Sequence, residues 1–296
     1  MYKVMMSTST GLDEYDIGQL EKGCWIDVIA PTEEELDQIA QATHIYKEYL
    51  TAPLDKEEKS RTELDEDQLG IIITPEVIVT VCLESNAVTA DFNAHTFRNF
   101  CTYKKTRFLF QILYKSATLY LKYIRNIIRR TDDLEQHLRQ AMENSKLFSM
   151  LDLQKSLTYF TTSLRSNYMV TEKLLRLRTT AQSQKLVRLY EEDEDLLEDV
   201  IVEYKQAIEM VEMYGHILNS MMEVFATIIS NNLNLVMRFL ASITIVLAIP
   251  TLISGLWGMN VPVPFAEVSF GFFIVLFMAM TVSLLAGFWL WKKHMF

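Results

Sequence analysis

The sequence predicts an α+β domain followed by long helices and, at the C-terminal end, two membrane-spanning helices. Three observations lead there. The 28 residues between Arg238 and Glu267 carry no charge, and a second uncharged stretch runs from Val268 to Trp291. Each is long enough for a bilayer core, which about 20 apolar helical residues cross. From Glu76 to Ile249 there is no proline and only one glycine, Gly215, a composition that suits long helices. Ahead of them, Ile71-Ile72-Ile73 and Val77-Ile78-Val79-Thr80-Val81 flank Thr74-Pro75-Glu76, β-branched runs about a turn proline that predict a hairpin.

Taken in order, residues 1–100 read as an N-terminal α/β cytosolic domain. Thr32 before Glu33-Glu34-Glu35 has the pattern of a helix N-cap with an acidic first turn. The charged stretch Lys56 to Gln68 makes this domain look short. Residues 101–190 hold long cytosolic helices, of roughly 104–143 and 147–178, with breaks near Asn144-Ser145 and in Thr179 to Gln184. A third helix starts near Glu191, forms a stalk over 191–237 and enters the membrane as span one, 238–259. A loop, 260–267, a second span, 268–291, and a basic tail, 292–296, complete the chain.

The stalk carries Leu197, Ile201, Tyr204, Ile208, Val211, Gly215, Leu218, Met222, Phe225 and Ile229 at steps alternating four and three, a heptad seam. Its partner is either a neighbouring helix of the same chain or another copy. Continued to Trp257, this helix is a rod of about 100 Å at 1.5 Å per residue.

The net charge of −10 lies almost wholly before the spans and excludes nucleic acid as a partner, since phosphates require a basic face. It suits a cation. Cys24, Cys82 and Cys101 have no metal-ligand spacing and read as reduced cysteines of a cytosolic compartment. No apolar run follows Lys3, so no signal peptide is expected. The five histidines are scattered, and neither a nucleophile elbow nor a phosphate loop is present, so an enzyme is not expected. Arg238 before the first span and Lys292, Lys293 and His294 after the second place both flanks, and both termini, in the cytoplasm by the positive-inside bias.

Along the first span, Asn234, Met237, Ala241, Thr244, Ala248, Thr251, Gly255 and Gly258 fall on one face, small or polar apart from Met237. Two readings compete. Small residues permit close helix packing in membranes, and the same stripe could line a narrow pore without a charge to trap an ion. Because two helices cannot enclose a pore, conduction would require self-assembly with each copy contributing one lining helix. Pro250 leaves one backbone carbonyl without its helical partner.

The loop entry Ser254-Gly255-Leu256-Trp257-Gly258-Met259-Asn260 resembles the CorA family of divalent cation transporters. Their signature is an aromatic residue followed by Gly-Met-Asn at the end of the first of two C-terminal spans. The resemblance implies a funnel-shaped homopentamer in the cytoplasmic membrane that passes hydrated divalent cations, with Mg²⁺ influx the leading function and Co²⁺, Ni²⁺ or Zn²⁺ the alternatives. A non-conducting, membrane-anchored oligomeric sensor or scaffold is the competing class. The resemblance makes Gly258, Met259 and Asn260 the selectivity filter and Asn234, Met237, Ala241, Thr244, Ala248, Thr251 and Gly255 the pore lining. Arg238, Lys292 and Lys293 then form a basic ring at the cytoplasmic mouth, Asp199 senses cytosolic metal, and Glu267 attracts cations in the loop. No cofactor is expected beyond the transported ion, to which the resemblance also allows a regulatory role; the partners are further copies of the chain, the bilayer and divalent cations.

Overall fold

The computed structural model describes residues 1–8, 11–54, 69–140, 144–177, 190–260, 263–264 and 269–295. The stretch Lys56 to Gln68, the break in Thr179 to Gln184, and Glu267 lie outside the described residues. Two compact units divide the chain at Asn219 and Ser220.

In the first unit, five strands form a mixed sheet: β1 (Tyr2–Ser7), β2 (Leu12–Tyr15), β3 (Trp25–Ile29), β4 (Gly70–Ile73) and β5 (Ile78–Cys82), in the order β2-β1-β3-β5-β4. The hairpin expected around Pro75 is the antiparallel pair β4–β5, with Ile73 opposite Ile78. Its turn is closed by Thr74, whose hydroxyl accepts from the Val77 amide at 2.9 Å. Strand β3 pairs parallel with β5, Trp25 opposite Ile78. That pairing requires a crossover, which contains α1 (Glu33–Thr43) and α2 (Lys47–Thr51). Thr32 caps α1 with a full capping box to Glu35.

Both sheet faces are covered, so the central strands lack the apolar–polar alternation of a half-exposed strand. Val4, Ile26, Val28, Val79 and Val81 pack with Leu36, Ile39 and Leu50 of α1 and α2. On the other face Met5, Trp25 and Ile78 meet Val88 of the short α3 (Ala87–Ala90) together with Phe100, Phe108 and Ile112. Trp25 donates from Nε1 to the Thr80 hydroxyl at 2.9 Å, and that hydroxyl donates to the Asp27 carboxylate at 2.8 Å. Burial raises the Asp27 pKa, against the opposing effects of the Thr80 hydrogen bond and nearby Lys3.

The helices follow: α4 (Lys105–Gln140), α5 (Asn144–Leu177) and α6 (Glu191–Trp257). Leu109 and Phe110 of α4 pack on Leu197 of α6. Arg107 of α4 reaches Glu192 and the buried Asp193 in the first turn of α6, each at 3.6 Å. Tyr204 is fully buried on α6. Its hydroxyl lies by Ser116 of α4 and Asn167 of α5 without closing a well-formed hydrogen bond to either, and burial pushes its pKa up to about 12. Arg165 of α5 pairs with Glu212 at 2.6 Å, and Gln154 bonds Asn219, so α5 runs antiparallel to α6.

The stalk seam differs from the heptad expected. Leu197, Tyr204, Val211, Leu218 and Phe225 are buried, but the alternating positions are Val200 and Ala207 instead of Ile201 and Ile208. Ile229 is exposed. Within the first unit the seam faces two helices of its own chain, α4 and α5, which rotates its centre by part of a turn.

Candidate functional site

The second unit holds the rest of α6 and α7 (Gly271–Lys292). Both α6 and α7 are long and apolar enough to cross a membrane. At 1.5 Å per residue the 22 residues of α7 measure about 33 Å, enough for a hydrocarbon core of about 30 Å.

Within this unit α6 passes straight through Pro250. Proline has no N–H, so the carbonyl four residues earlier, that of Val246, loses its helical donor. The Ser283 hydroxyl of α7 replaces it, donating to the Val246 oxygen at 2.8 Å. Small residues make room for this approach. Val275, Ala279 and Ser283 are buried on α7 at four-residue steps, and a Cβ added at Gly287 would meet Val246 Cγ2 at 3.7 Å. At the other end Ser242, fully buried, donates to its own helix at Arg238 O (2.9 Å) and lies 3.2 Å from Met295 O in the tail. The sequence showed the orphaned carbonyl but not its donor; the signal was the spacing Ala279, Ser283, Gly287 on the second span.

These contacts fix which face of α6 is occupied. The half-buried or buried positions Ser242, Ile243, Val246, Ile249, Pro250 and Ile253 face α7. The stripe of Ala241, Thr244, Ala248, Thr251, Gly255 and Gly258 is exposed throughout and lies across the helix from them at 100° per residue. The small face is therefore not used to pack the two spans of one chain. The Thr244 and Thr251 hydroxyls donate back to Leu240 O and Leu247 O at 2.8 and 3.0 Å, each leaving lone pairs free to accept. Asn234 and Met237 continue the exposed side, Met237 at 57% exposure. Ahead of Asn234 that side deepens into a shallow hollow with Ala226, Thr227, Ser230 and Asn231, an extension not singled out from the sequence.

At the far end α6 stops at Trp257. The Gly258 amide still donates to Ser254 O at 2.9 Å, and Met259 N to Leu256 O at 3.4 Å, so the chain turns tightly over the last helical carbonyls. A Cβ there would lie 3.3 Å from Ser254 O, a tight contact that glycine avoids. Trp257 Nε1 donates to Pro264 O at 3.2 Å, tying the loop back to the helix end. Asn260 and Met259 are exposed just beyond this turn.

The remaining candidates are scattered. Arg238 and His294 line one hollow with Phe239 and Met295, while Lys293 lies over the Trp289 ring at 5.8 Å, and Lys292 ends α7. The basic residues thus gather at the α7 end that meets Ser242, on a different side of α6 from the stripe. Asp199 is exposed on α6, and among the described residues no group of three or more His, Cys, Asp or Glu is placed to hold a metal.

Comparison with known proteins adds a family. The CorA-like Mg²⁺ transporter protein model matches residues 68–293. The cobalt/magnesium transport protein CorA of Methanocaldococcus jannaschii is 27% identical over 289 residues, covering 88% of this chain and 87% of that protein. The complete structure of the CorA magnesium transporter from the same organism superposes with a TM-score of 0.80 at 23% identity, over 97% of this chain and 96% of that one. The full-length CmaX protein has the same fold at a TM-score of 0.66 and 15% identity, covering 100% of this chain and 98% of its own.

Proposed function

The chain belongs to the CorA-like Mg²⁺ transporter family, and from that premise we propose that it is a passive, channel-like transporter of hydrated divalent cations, with Mg²⁺ entering the cytoplasm as its main cargo. The observation that carries this reading is the exposed stripe of α6, which α7 leaves open and which leads to the turn at Gly258-Met259-Asn260.

Magnesium holds its waters tightly and prefers octahedral oxygen ligands. A filter for the hydrated ion needs acceptors that meet those waters, and the Asn260 amide oxygen with the carbonyls around Gly258 are of that kind. Beyond the filter, hydroxyls and small residues give the ion no fixed charge to bind, so it passes instead of being held. The stripe encloses a path only when several copies bring it together, and we assign the assembly as a homopentamer, the state implied by the resemblance. Arg238 and the tail lysines support a topology with both termini in the cytoplasm, by the positive-inside bias. The exposed Asp199 carboxylate is proposed to sense cytosolic metal, and Glu267 in the loop to attract cations to the entrance.

The M. jannaschii relative is described as carrying both cobalt and magnesium, so Co²⁺ is the first competitor to test. Purified protein in liposomes under an inward Mg²⁺ gradient should raise the signal of a trapped Mg²⁺ indicator, with Co²⁺ competing less well. No flux of Mg²⁺, Co²⁺, Ni²⁺ or Zn²⁺ would refute transport; faster Co²⁺ than Mg²⁺ would refute the choice of cargo.

A further inference from the structure

The charges of the first unit are segregated by helix. Helices α4 and α5 together carry thirteen Lys or Arg against five Asp or Glu, whereas α6 from Glu191 to Glu212 carries ten Asp or Glu against the single Lys205. Within one chain few of these charges meet: Arg107 with Glu192 and Asp193, and Arg165 with Glu212. The rest point elsewhere. On α4, Lys122, Arg125 and Arg129 are exposed along one strip, opposite the buried positions Leu121, Ile124, Ile127 and Thr131. On α6, Asp195, Glu198, Asp199 and Glu209 are exposed on the side away from the seam of Leu197, Tyr204 and Val211. None of these seven residues forms an ion pair among the described residues.

We infer that the acidic outer face of α6, at the turn around Glu209, is covered by the basic strip of α4 from a neighbouring copy of this chain. The inference rests on the self-assembly contained in the proposed function and names the contact that assembly uses. Two α6 helices brought face to face at this level would oppose carboxylate to carboxylate, which is repulsive. The strip of α4 offers the complementary sign. Height agrees as well, because α4 and α6 start side by side at Arg107 and Asp193 and run in the same direction past Ser116 and Tyr204. That register sets Lys122 and Arg125 level with the turn of α6 that contains Glu209. Rotation about an axis along α6 keeps each copy at the same height, so the strip of one copy meets the Glu209 region of the next. The apolar stem of Arg125 would also cover Met213, which is 51% exposed on that face.

The test uses the full-length chain in detergent, with subunit association measured by native mass spectrometry and sedimentation. Reversing two cations, Arg125→Glu with Arg129→Glu, turns attractive pairs repulsive and should lower the association constant by roughly tenfold or more. Adding Glu209→Arg to that variant should restore much of the loss. Raising salt from about 50 to about 500 mM should weaken the wild type and not the reversed variant, because screening acts on exposed pairs. Circular dichroism of each variant separates misfolding from lost contact, since these side chains are exposed and the helix content should be unchanged. Unchanged association of the reversed variant, or a loss that Glu209→Arg does not relieve, overturns the inference while leaving transport untouched. Assembly that EDTA abolishes and the α4 reversals do not affect also overturns it, assigning the Glu209 turn to divalent cations. A wild-type chain that stays monomeric refutes both the contact and the proposed assembly.

Discussion

Replacing Ser283 with Ala removes one oxygen at the point where the two spans of a chain are joined. In the structure that oxygen donates to Val246 O at 2.8 Å, and Ser283 is only 9% exposed. Pro250 cannot serve the Val246 carbonyl, so Ser283→Ala leaves it without a protein donor. Interhelical hydrogen bonds in membranes are worth on average about 0.6 and at most about 1.7 kcal/mol. A buried acceptor stripped of its partner costs about 1–3 kcal/mol. The expected loss for Ser283→Ala is therefore about 1–2 kcal/mol. Pro250→Ala supplies an N–H to the same carbonyl, so in that background Ser283→Ala should cost about 0.5 kcal/mol or less, a coupling of the kind double-mutant cycles read. Reversible SDS unfolding in bicelles at fixed protein concentration, followed by far-ultraviolet circular dichroism, gives the four free energies. Equal costs of Ser283→Ala with and without Pro250→Ala would refute the reasoning, as would no cost at all.

Other consequences follow from the cytosolic unit. Asp27 has its pKa raised in the folded state by burial, so the folded chain binds more protons than the unfolded one between the two values. Its contribution to stability falls as pH rises through that interval. Asp27→Asn should therefore unfold at least as high as wild type at pH 7, with the gap closing as the pH is lowered below the unfolded carboxylate value. A variant less stable than wild type at pH 7 would contradict this. The Tyr204 hydroxyl is buried without a well-formed partner, so Tyr204→Phe should change stability by less than about 1 kcal/mol or raise it. A thermal unfolding midpoint several degrees lower would show that Ser116 and Asn167 satisfy the hydroxyl after all.

Legibility followed the range of the interactions. The β4–β5 hairpin, the Thr32 cap and both long apolar segments are local patterns, and the structure places elements there. Strands β1 to β3 were not read out, because their pairing is non-local: Trp25 of β3 meets Ile78 of β5, and β2 is the short, acidic LDEY at the sheet edge. Burial of β3 and β5 on both faces also removed the alternation that marks a half-exposed strand. In the stalk, the positions seven apart were right, but a single sequence could not decide between Val200 and Ile201, since that choice depends on where α4 and α5 lie. Much the same holds for the candidate site. The stripe on α6 was visible as a period, yet which side α7 occupies depended on Ser283, one hydroxyl on another helix.

The open stripe of α6 and the turn after it are proposed above to form a divalent cation path. Liposome flux of Mg²⁺ through wild type and Asn260→Ala, measured side by side at equal reconstitution, tests it most directly. Asn260 lies in the turn beyond Trp257, exposed and outside every packing contact that holds α6 to α7, so its loss should leave folding and assembly intact. Mg²⁺ influx is expected through wild type, with a loss of about tenfold or more, equivalent to about 1.4 kcal/mol at the filter, or a loss of preference for Mg²⁺ over Co²⁺, in Asn260→Ala. Equal flux and equal selectivity in the two proteins would contradict it.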